Sequence, residues 1–281
     1  MFNLLRSIRF KLLSFVLKCY KKNSGIFYCN ERLNIGDSAV PEICKKSRVA
    51  NHFSIPLKYA NQLQTKGNVL FTIGSVLQWA DSSSIVWGSG FISEDSKCKS
   101  LPRIYALRGS LSKIKVEKQF DIKLGSIPLC DPGLLVSKYL SFNISLQKKY
   151  KLGIIPHYAD KFLFKKIVLN DKTLLLDVET SNIYDFCKQI NQCEKIISSS
   201  LHGLIFSDAF SIPNAWISLS DKVLGNGFKF YDYFSSFQED KRIKNFVEPM
   251  NLINRSIDIE FSSKSVQEIK KKQNELLQTL K

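Results

Sequence analysis

The sequence predicts an α/β fold of two Rossmann-like domains facing each other across a cleft, and three observations predict it. Short apolar runs alternate with longer amphipathic stretches, the runs repeatedly end in glycine or a small polar residue, and a polar segment over residues 141–151 divides the series in two. Such a succession is what βα units of a parallel sheet produce, because a strand covered on both faces reads as a continuous apolar run. With 281 residues and 44% hydrophobic content, the chain can fill both cores.

Taken in order, residues 1–22 carry six basic and no acidic side chains, with Leu5, Ile8, Leu12 and Cys19 at helical spacing. A helix of that kind suits either an anionic bilayer surface or the protein's own flank. The first domain, 23–145, holds five apolar runs. Ile26 to Cys29 leads to Asn34-Ile35-Gly36-Asp37, Val69 to Ile73 ends at Gly74-Ser75, and Ile85 to Trp87 ends at Gly88-Ser89-Gly90. Ile104 to Leu107 ends at Arg108-Gly109-Ser110, and Ile127 to Cys130 ends at Asp131-Pro132-Gly133. In a doubly wound sheet the carboxyl ends of the strands form the ligand crevice, so Gly36, Gly88 and Gly90 read as places where backbone approaches a substrate.

The second domain, 146–255, begins with Leu152 to Ile155, ending at Pro156-His157-Tyr158, and continues with Thr173 to Val178 and a helix from Ile183 to Cys193. The run Lys195 to Ile197 then delivers Ser198-Ser199-Ser200 to a helix from Leu201 to Phe210, and Ala215 to Ile217 follows. Residues 256–281 read as a closing helix that packs through Val266, Ile269, Leu276, Leu277 and Leu280.

A formal charge of +16 points to an anionic partner: a phosphorylated substrate, an acidic membrane face or nucleic acid. The basic residues are spread along the chain with no RRM, KH or zinc-finger pattern, which argues against nucleic acid. Seven cysteines without a C-x-x-C pair suggest neither a disulfide framework nor a zinc cluster, and no metal is expected. No secretory leader is recognisable, and the apolar run Leu12 to Leu17 is far short of the roughly 20 residues of a membrane span. A cytoplasmic location is therefore expected.

The stretch Lys195 to Gly203 is the most informative. The three serines can cap the following helix, whose N-H groups and dipole make an anion site, and His202 falls on its first turn. An imidazole there can give a proton or hold charge, the chemistry that transfer from a phosphorylated donor needs. Arg108 follows a strand and precedes a helix start, a position suited to phosphate or carboxylate binding or else to a solvated or salt-bridged arginine, and Lys222 after the last run could share the binding duty. Asp37 and Asp131 stand in glycine-containing breaks where a carboxylate could take a hydroxyl proton, and each could instead be a turn or cap residue. His157 could be a ligand or a strand-end turn. The G-x-G-x-x-G and G-x-x-x-x-G-K-[ST] loops, G-x-S-x-G and HExxH are all missing.

Asn34-Ile35-Gly36-Asp37, Trp87-Gly88-Ser89-Gly90, Leu107-Arg108-Gly109, Asp131-Pro132, Ile155-Pro156-His157 and Ser199-Ser200-Leu201-His202-Gly203, in this order, resemble the polysaccharide pyruvyl transferase family. The segment Gly227 to Phe234 is similar to its exopolysaccharide branch. The resemblance implies a glycosyltransferase-B-like pair of domains that moves pyruvate from phosphoenolpyruvate onto two hydroxyls of one sugar, forming a cyclic ketal and releasing phosphate, with no cofactor. It casts His202 as acid or phosphate ligand and Asp37 as the partner of the acceptor hydroxyl. Arg108, Ser199, Ser200, Leu201 and Lys222 would bind the donor, and Gly36, Gly88, Gly90, Asp131 and His157 would line the cleft. Many members carry arginine immediately before Leu-His, where this chain has Ser200. The acceptor would be a lipid-linked oligosaccharide or polysaccharide, with the basic surface in peripheral contact with the anionic inner membrane face. A nucleotide-sugar glycosyltransferase of the same two-domain type is the alternative.

Overall fold

Parallel strands need helical crossovers, and the computed structural model has them in both halves of the chain. It describes residues 25–27, 33–48, 54–55, 69–140, 147–238, 240, 242–249 and 259–280. The basic segment 1–22, the end of the first run at Cys29, His52 and linker residues 141–146 lie outside them. In the first half, β1 (Gly25–Phe27), β2 (Ser54–Ile55), β3 (Val69–Phe71), β4 (Ser84–Trp87) and β5 (Arg103–Ala106) form one sheet in the order β2-β1-β3-β4-β5. In the second, β6 (Tyr150–Ile155), β7 (Thr173–Leu175), β8 (Cys193–Ser198), β9 (Asn214–Ser218) and β10 (Asn245–Phe246) form another, β10-β9-β8-β6-β7. Every pairing is parallel, and read from the other edge the second sheet repeats the strand order of the first. Strand order reverses between β1 and β3 and between β6 and β8, the points where doubly wound sheets open a ligand crevice at the strands' carboxyl ends.

The helices are α1 (Ile35–Ser47), α2 (Ser110–Phe120), the short α3 (Val136–Tyr139), α4 (Ile183–Asn191), α5 (Leu201–Ala209), α6 (Phe228–Phe234) and α7 (Val266–Gln278). Asn34 caps α1 by accepting from the Gly36 N-H at 2.9 Å, and Ser265 caps α7 by accepting from the Glu268 N-H. One apolar cluster runs through both halves, with Ile35, Trp87 and Leu134 meeting Phe206, Trp216 and Leu276. The Trp87 indole donates to Thr279 Oγ1 at 3.0 Å, and the Ile35 N-H donates to the Val178 carbonyl at 2.8 Å. Both contacts tie the second half and the closing helix to the first.

Several expectations need correction. Ile127 to Cys130 makes only an isolated bridge, Leu129 with Leu107, because Pro128 and Pro132 deny a ladder its N-H groups. The edge strands β2 and β10 are two residues each and carry no apolar run that would reveal them. Tyr150 and Lys151 belong to β6 rather than the linker, since the strand's outer half is solvated and reads as polar. On α7, Ile269 and Leu276 are buried, whereas Val266 and Leu280 at the helix ends are exposed.

Asp232 of α6 is bound by first-half groups on every side. It accepts from Arg108 Nε at 2.8 Å and from the N-H and Oγ of Ser112, each at 2.7 Å, and both members of the ion pair are wholly buried. Removing one partner strands the other's charge in the interior. Asp232→Ala is expected to cost about 3–5 kcal/mol, read from the urea midpoint of unfolding.

Candidate functional site

The site forms where the switch points of the two sheets meet. Leaving β8, Ser198 Oγ donates to the Ile155 carbonyl of β6 at 2.9 Å and accepts from the Ser200 N-H at 3.0 Å, which fixes the turn into α5. A Cβ at Gly203 would stand 2.3 Å from that same Ser198 oxygen, so the small residue lets the helix start close to the strand end. Ser200 is the N-cap of α5, but its side chain makes no capping hydrogen bond, contrary to the expected serine cap. The first amides of α5 have no acceptor within the helix, and the positive end of its dipole stays unscreened by a cap.

His202, on the first turn of α5, lies against the start of α1. A Cβ built on Gly36 would fall 1.9 Å from His202 Nδ1, so any side chain there would occupy the ring's space. The ring is packed 6.0 Å from Phe206, and Nε2 is buried with no hydrogen-bond partner among the described residues. Burial, then the positive charges of Lys229 and Arg108, push the imidazole from its ordinary 6.5 down to about 3. At neutral pH His202 is uncharged.

Lys229 on α6 is the residue that sequence reasoning missed. It is 9% exposed and makes no hydrogen bond or ion pair among the described residues. Burial and the Arg108 charge lower its ammonium to about 8, against the opposing pull of Asp160 and Asp37. The signal was a single charge inside the aromatic segment Phe228-Lys229-Phe230-Tyr231, a segment quoted for its resemblance and given no role.

Asp37 lies in the first turn of α1, half-buried, where its field reaches Lys229. Arg108 shares the charge cluster, but its guanidinium is committed: besides Asp232 it donates to Ser75 Oγ and to the Phe91 carbonyl, each at 2.6 Å. Full burial makes it a fixed source of positive field. Asp160 is buried too, accepting from Ser199 Oγ at 2.7 Å and Ser220 Oγ at 2.5 Å. Ser199 Oγ in turn accepts from the His157 N-H at 2.8 Å, and His157 Nδ1 accepts from the Ala159 N-H at 3.2 Å, so the ring of this mostly buried residue turns back on its own loop. Leu201 belongs to the apolar cluster.

Four expected cleft or donor positions have other duties. Gly88, at φ +89°, packs on Pro132, and a Cβ at Gly90 would stand 2.5 Å from the Arg108 guanidinium carbon; both let backbone approach protein rather than substrate. Asp131 is wholly buried, capping the 3₁₀ turn Pro132–Leu135 through the Gly133 N-H at 2.8 Å, and burial raises its carboxyl to about 6. Lys222 is exposed, its ammonium 4.0 Å above the Phe162 ring, and takes no part in the charge cluster at His202. Beside the cluster a cavity of about 230 Å³ opens at the ends of β8 and β9, lined by Ser199, Ser218, Ser220, Asn226, Trp216 and Phe230 among others. Polar hydroxyls and aromatic edges together suit a sugar ring.

Residues 79–221 match the family described as Polysaccharide pyruvyl transferase. The chain is 32% identical over 226 residues to an uncharacterized protein of Acanthamoeba polyphaga mimivirus, covering 79% of this chain and 77% of the relative. It is 30% identical over 173 residues to the succinoglycan biosynthesis protein ExoV of Rhizobium meliloti, covering 59% of this chain and 52% of that protein. The match thus spans about half the length of ExoV. A solved structure of an uncharacterized Klebsiella pneumoniae protein is similar at 12% identity over 86% of this chain and 98% of that one, with a TM-score of 0.43.

The imidazole has a consequence for stability. Between pH 6.5 and about 3 the unfolded chain binds a proton that folded His202 refuses, so this residue's share of stability is lost as pH falls through that window. Asp131 acts with the opposite sign, the native state holding its proton up to about pH 6. In urea titrations from pH 7 to pH 4, His202→Gln is expected to lose less stability than wild type. Equal slopes for the two proteins would contradict a neutral buried imidazole.

Proposed function

The chain belongs to the polysaccharide pyruvyl transferase family, and on that footing we propose that it moves pyruvate from phosphoenolpyruvate onto two hydroxyls of one sugar, closing a cyclic ketal and releasing phosphate. The observation that carries this reading is the unpartnered, uncharged His202 at the uncapped start of α5, surrounded by the positive field of Arg108 and Lys229. Burial is the larger reason the imidazole stays unprotonated, and the positive field adds to it; that second part is what a bound anion reverses. When a donor bearing phosphate and carboxylate binds, its negative charge favours protonation of His202 and supplies the acid only once substrate is present.

In the proposed sequence His202 gives its proton to the methylene carbon of the donor, leaving positive character at the adjacent carbon. An acceptor hydroxyl attacks that carbon as Asp37 takes the hydroxyl proton. Phosphate then leaves with the electron pair of its C-O bond, and a second hydroxyl of the same sugar attacks the same carbon and passes its proton to the His202 imidazole left neutral by the first step, closing the ring. Helix α5 offers backbone N-H groups to the donor's anionic oxygens from Leu201 onward, in place of the arginine that Ser200 replaces.

We read the two sheets as a glycosyltransferase-B-like pair whose cleft is closed by the contact of Gly36 with His202, and the cavity beside Ser199 as the seat of the acceptor ring. The net charge of +16 favours an acceptor carried on a phosphate-linked lipid at an anionic membrane face. Among the described residues no helix is long and apolar enough to cross a membrane.

Phosphate release from phosphoenolpyruvate, measured with lipid-linked and aryl glycoside acceptors, tests the reading. Release by the wild type should require acceptor, and His202→Ala should lower it by about 10²- to 10⁴-fold, the usual yield of a positioned acid. Acceptor-dependent release that survives undiminished in His202→Ala would remove the histidine from the chemistry.

A further inference from the structure

We propose that the Lys229 ammonium is the cation that holds the donor's phosphate, an assignment that rests on the reading above that the donor is phosphorylated. The side chain is nine-tenths buried, and its ammonium, 5.6 Å from the centroid of the Phe230 ring, makes no hydrogen bond or ion pair among the described residues. An interior cation without a partner costs stability that folding alone gives no reason to spend.

Its neighbours explain why the missing partner is a ligand. The groups whose charge reaches it are Arg108, Asp160 and Asp37, and its own charge reaches His202. Arg108 repels it and is fixed in place by Asp232, Ser75 and Phe91. Asp160 attracts it, but hydroxyls of Ser199 and Ser220 occupy its two oxygens. Asp37 attracts it from the first turn of α1 and keeps other interactions of its own. Within reach of the Lys229 charge is His202, whose Nε2 is buried with no partner among the described residues. An ammonium and an imidazole, each without a hydrogen bond to protein among the described residues and each within the other's field, describe a receptacle for an anion. An ammonium suits a phosphate because it acts as a point charge with three rotatable donors, whereas the planar carboxylate of the donor is better met by the paired amides at the start of α5.

Position adds to the argument. Lys229 lies three residues before Asp232, one helical turn away on the same face of α6, so the ion pair that docks the helix also sets the ammonium.

Titration calorimetry with inorganic phosphate and with phosphoenolpyruvate, on wild type, Lys229→Met and Lys229→Arg, tests the proposal. Wild type should bind both ligands, Lys229→Met should bind each at least about tenfold more weakly, and Lys229→Arg should stay within a few-fold of wild type. Affinity of the wild type should fall as pH rises through about 8, where the ammonium loses its proton, and that limb should vanish in Lys229→Arg. A structural lysine would leave Lys229→Met less stable; a lysine kept for a ligand should leave it with a higher melting temperature at pH 7 and no gain near pH 11. Undiminished phosphate binding by Lys229→Met, absence of binding by wild type, or a lowered melting temperature would overturn the assignment. Phosphate binding that depends on Lys229 in a protein that releases none from phosphoenolpyruvate would retain the lysine and discard the reaction. Acceptor-dependent release that is equal in wild type and Lys229→Met would do the reverse.

Discussion

The buried pairing of Arg108 with Asp232 joins the end of β5 to α6, and the arrangement of charge around His202 depends on it. A guanidinium and a carboxylate taken wholly out of water are tolerable only when every remaining donor and acceptor is satisfied. Ser75, Phe91 and Ser112 meet that demand, and all belong to the first half of the chain. Helix α6, from the second half, is thereby held over the first sheet's crevice. The Gly109 backbone lies so close to the Asp232 carbonyl that a Cβ there would stand 1.6 Å from the oxygen, leaving the helix little room to slide.

The same pairing fixes the Arg108 guanidinium where its charge acts on His202 and Lys229. Arg108 keeps its charge, Lys229 is added a turn away, and both act on His202 in the direction that burial does. Opposing them at Lys229 are the charges of the buried Asp160 and the half-buried Asp37. The result is a cluster of opposed buried charges in which Arg108 is matched by Asp232, while the Lys229 ammonium makes no ion pair among the described residues.

Much of this architecture was legible in the sequence. The apolar runs located all eight strands longer than two residues, to within two residues at most boundaries, and Tyr150-Lys151 shows why ends are harder: a strand's solvated outer half carries no apolar signal. The short β3 follows from Val69-Leu70-Phe71 directly, whereas β2 and β10 exist only because a neighbour offers a ladder. His202, Asp37 and the α5 start were visible as a small-residue break followed by a helix. What escaped was every role set by the third dimension. Gly88 and Gly90 announce close approach but not whether the visitor is substrate or protein, and Arg108 announces a cation but not that Asp232, far along the chain, has claimed it. Lys229 was hidden among aromatics because a charge in an apolar helix reads as an interruption until its burial is known.

The repeated strand order has a consequence for how the centre is furnished. Each sheet offers two loops at its reversal point, after β1 and β3 in one and after β6 and β8 in the other. The centre draws Asp37 from the start of the helix that follows β1 and His202 from the start of the helix that follows β8, which occupy non-equivalent places in the shared topology. The remaining two loops are scaffolding: Ser75 steadies Arg108, and the backbone of His157 anchors Ser199. Asp37 and His202 therefore lie on a diagonal of a pseudo-symmetric frame, and neither sheet severed from the other would carry both.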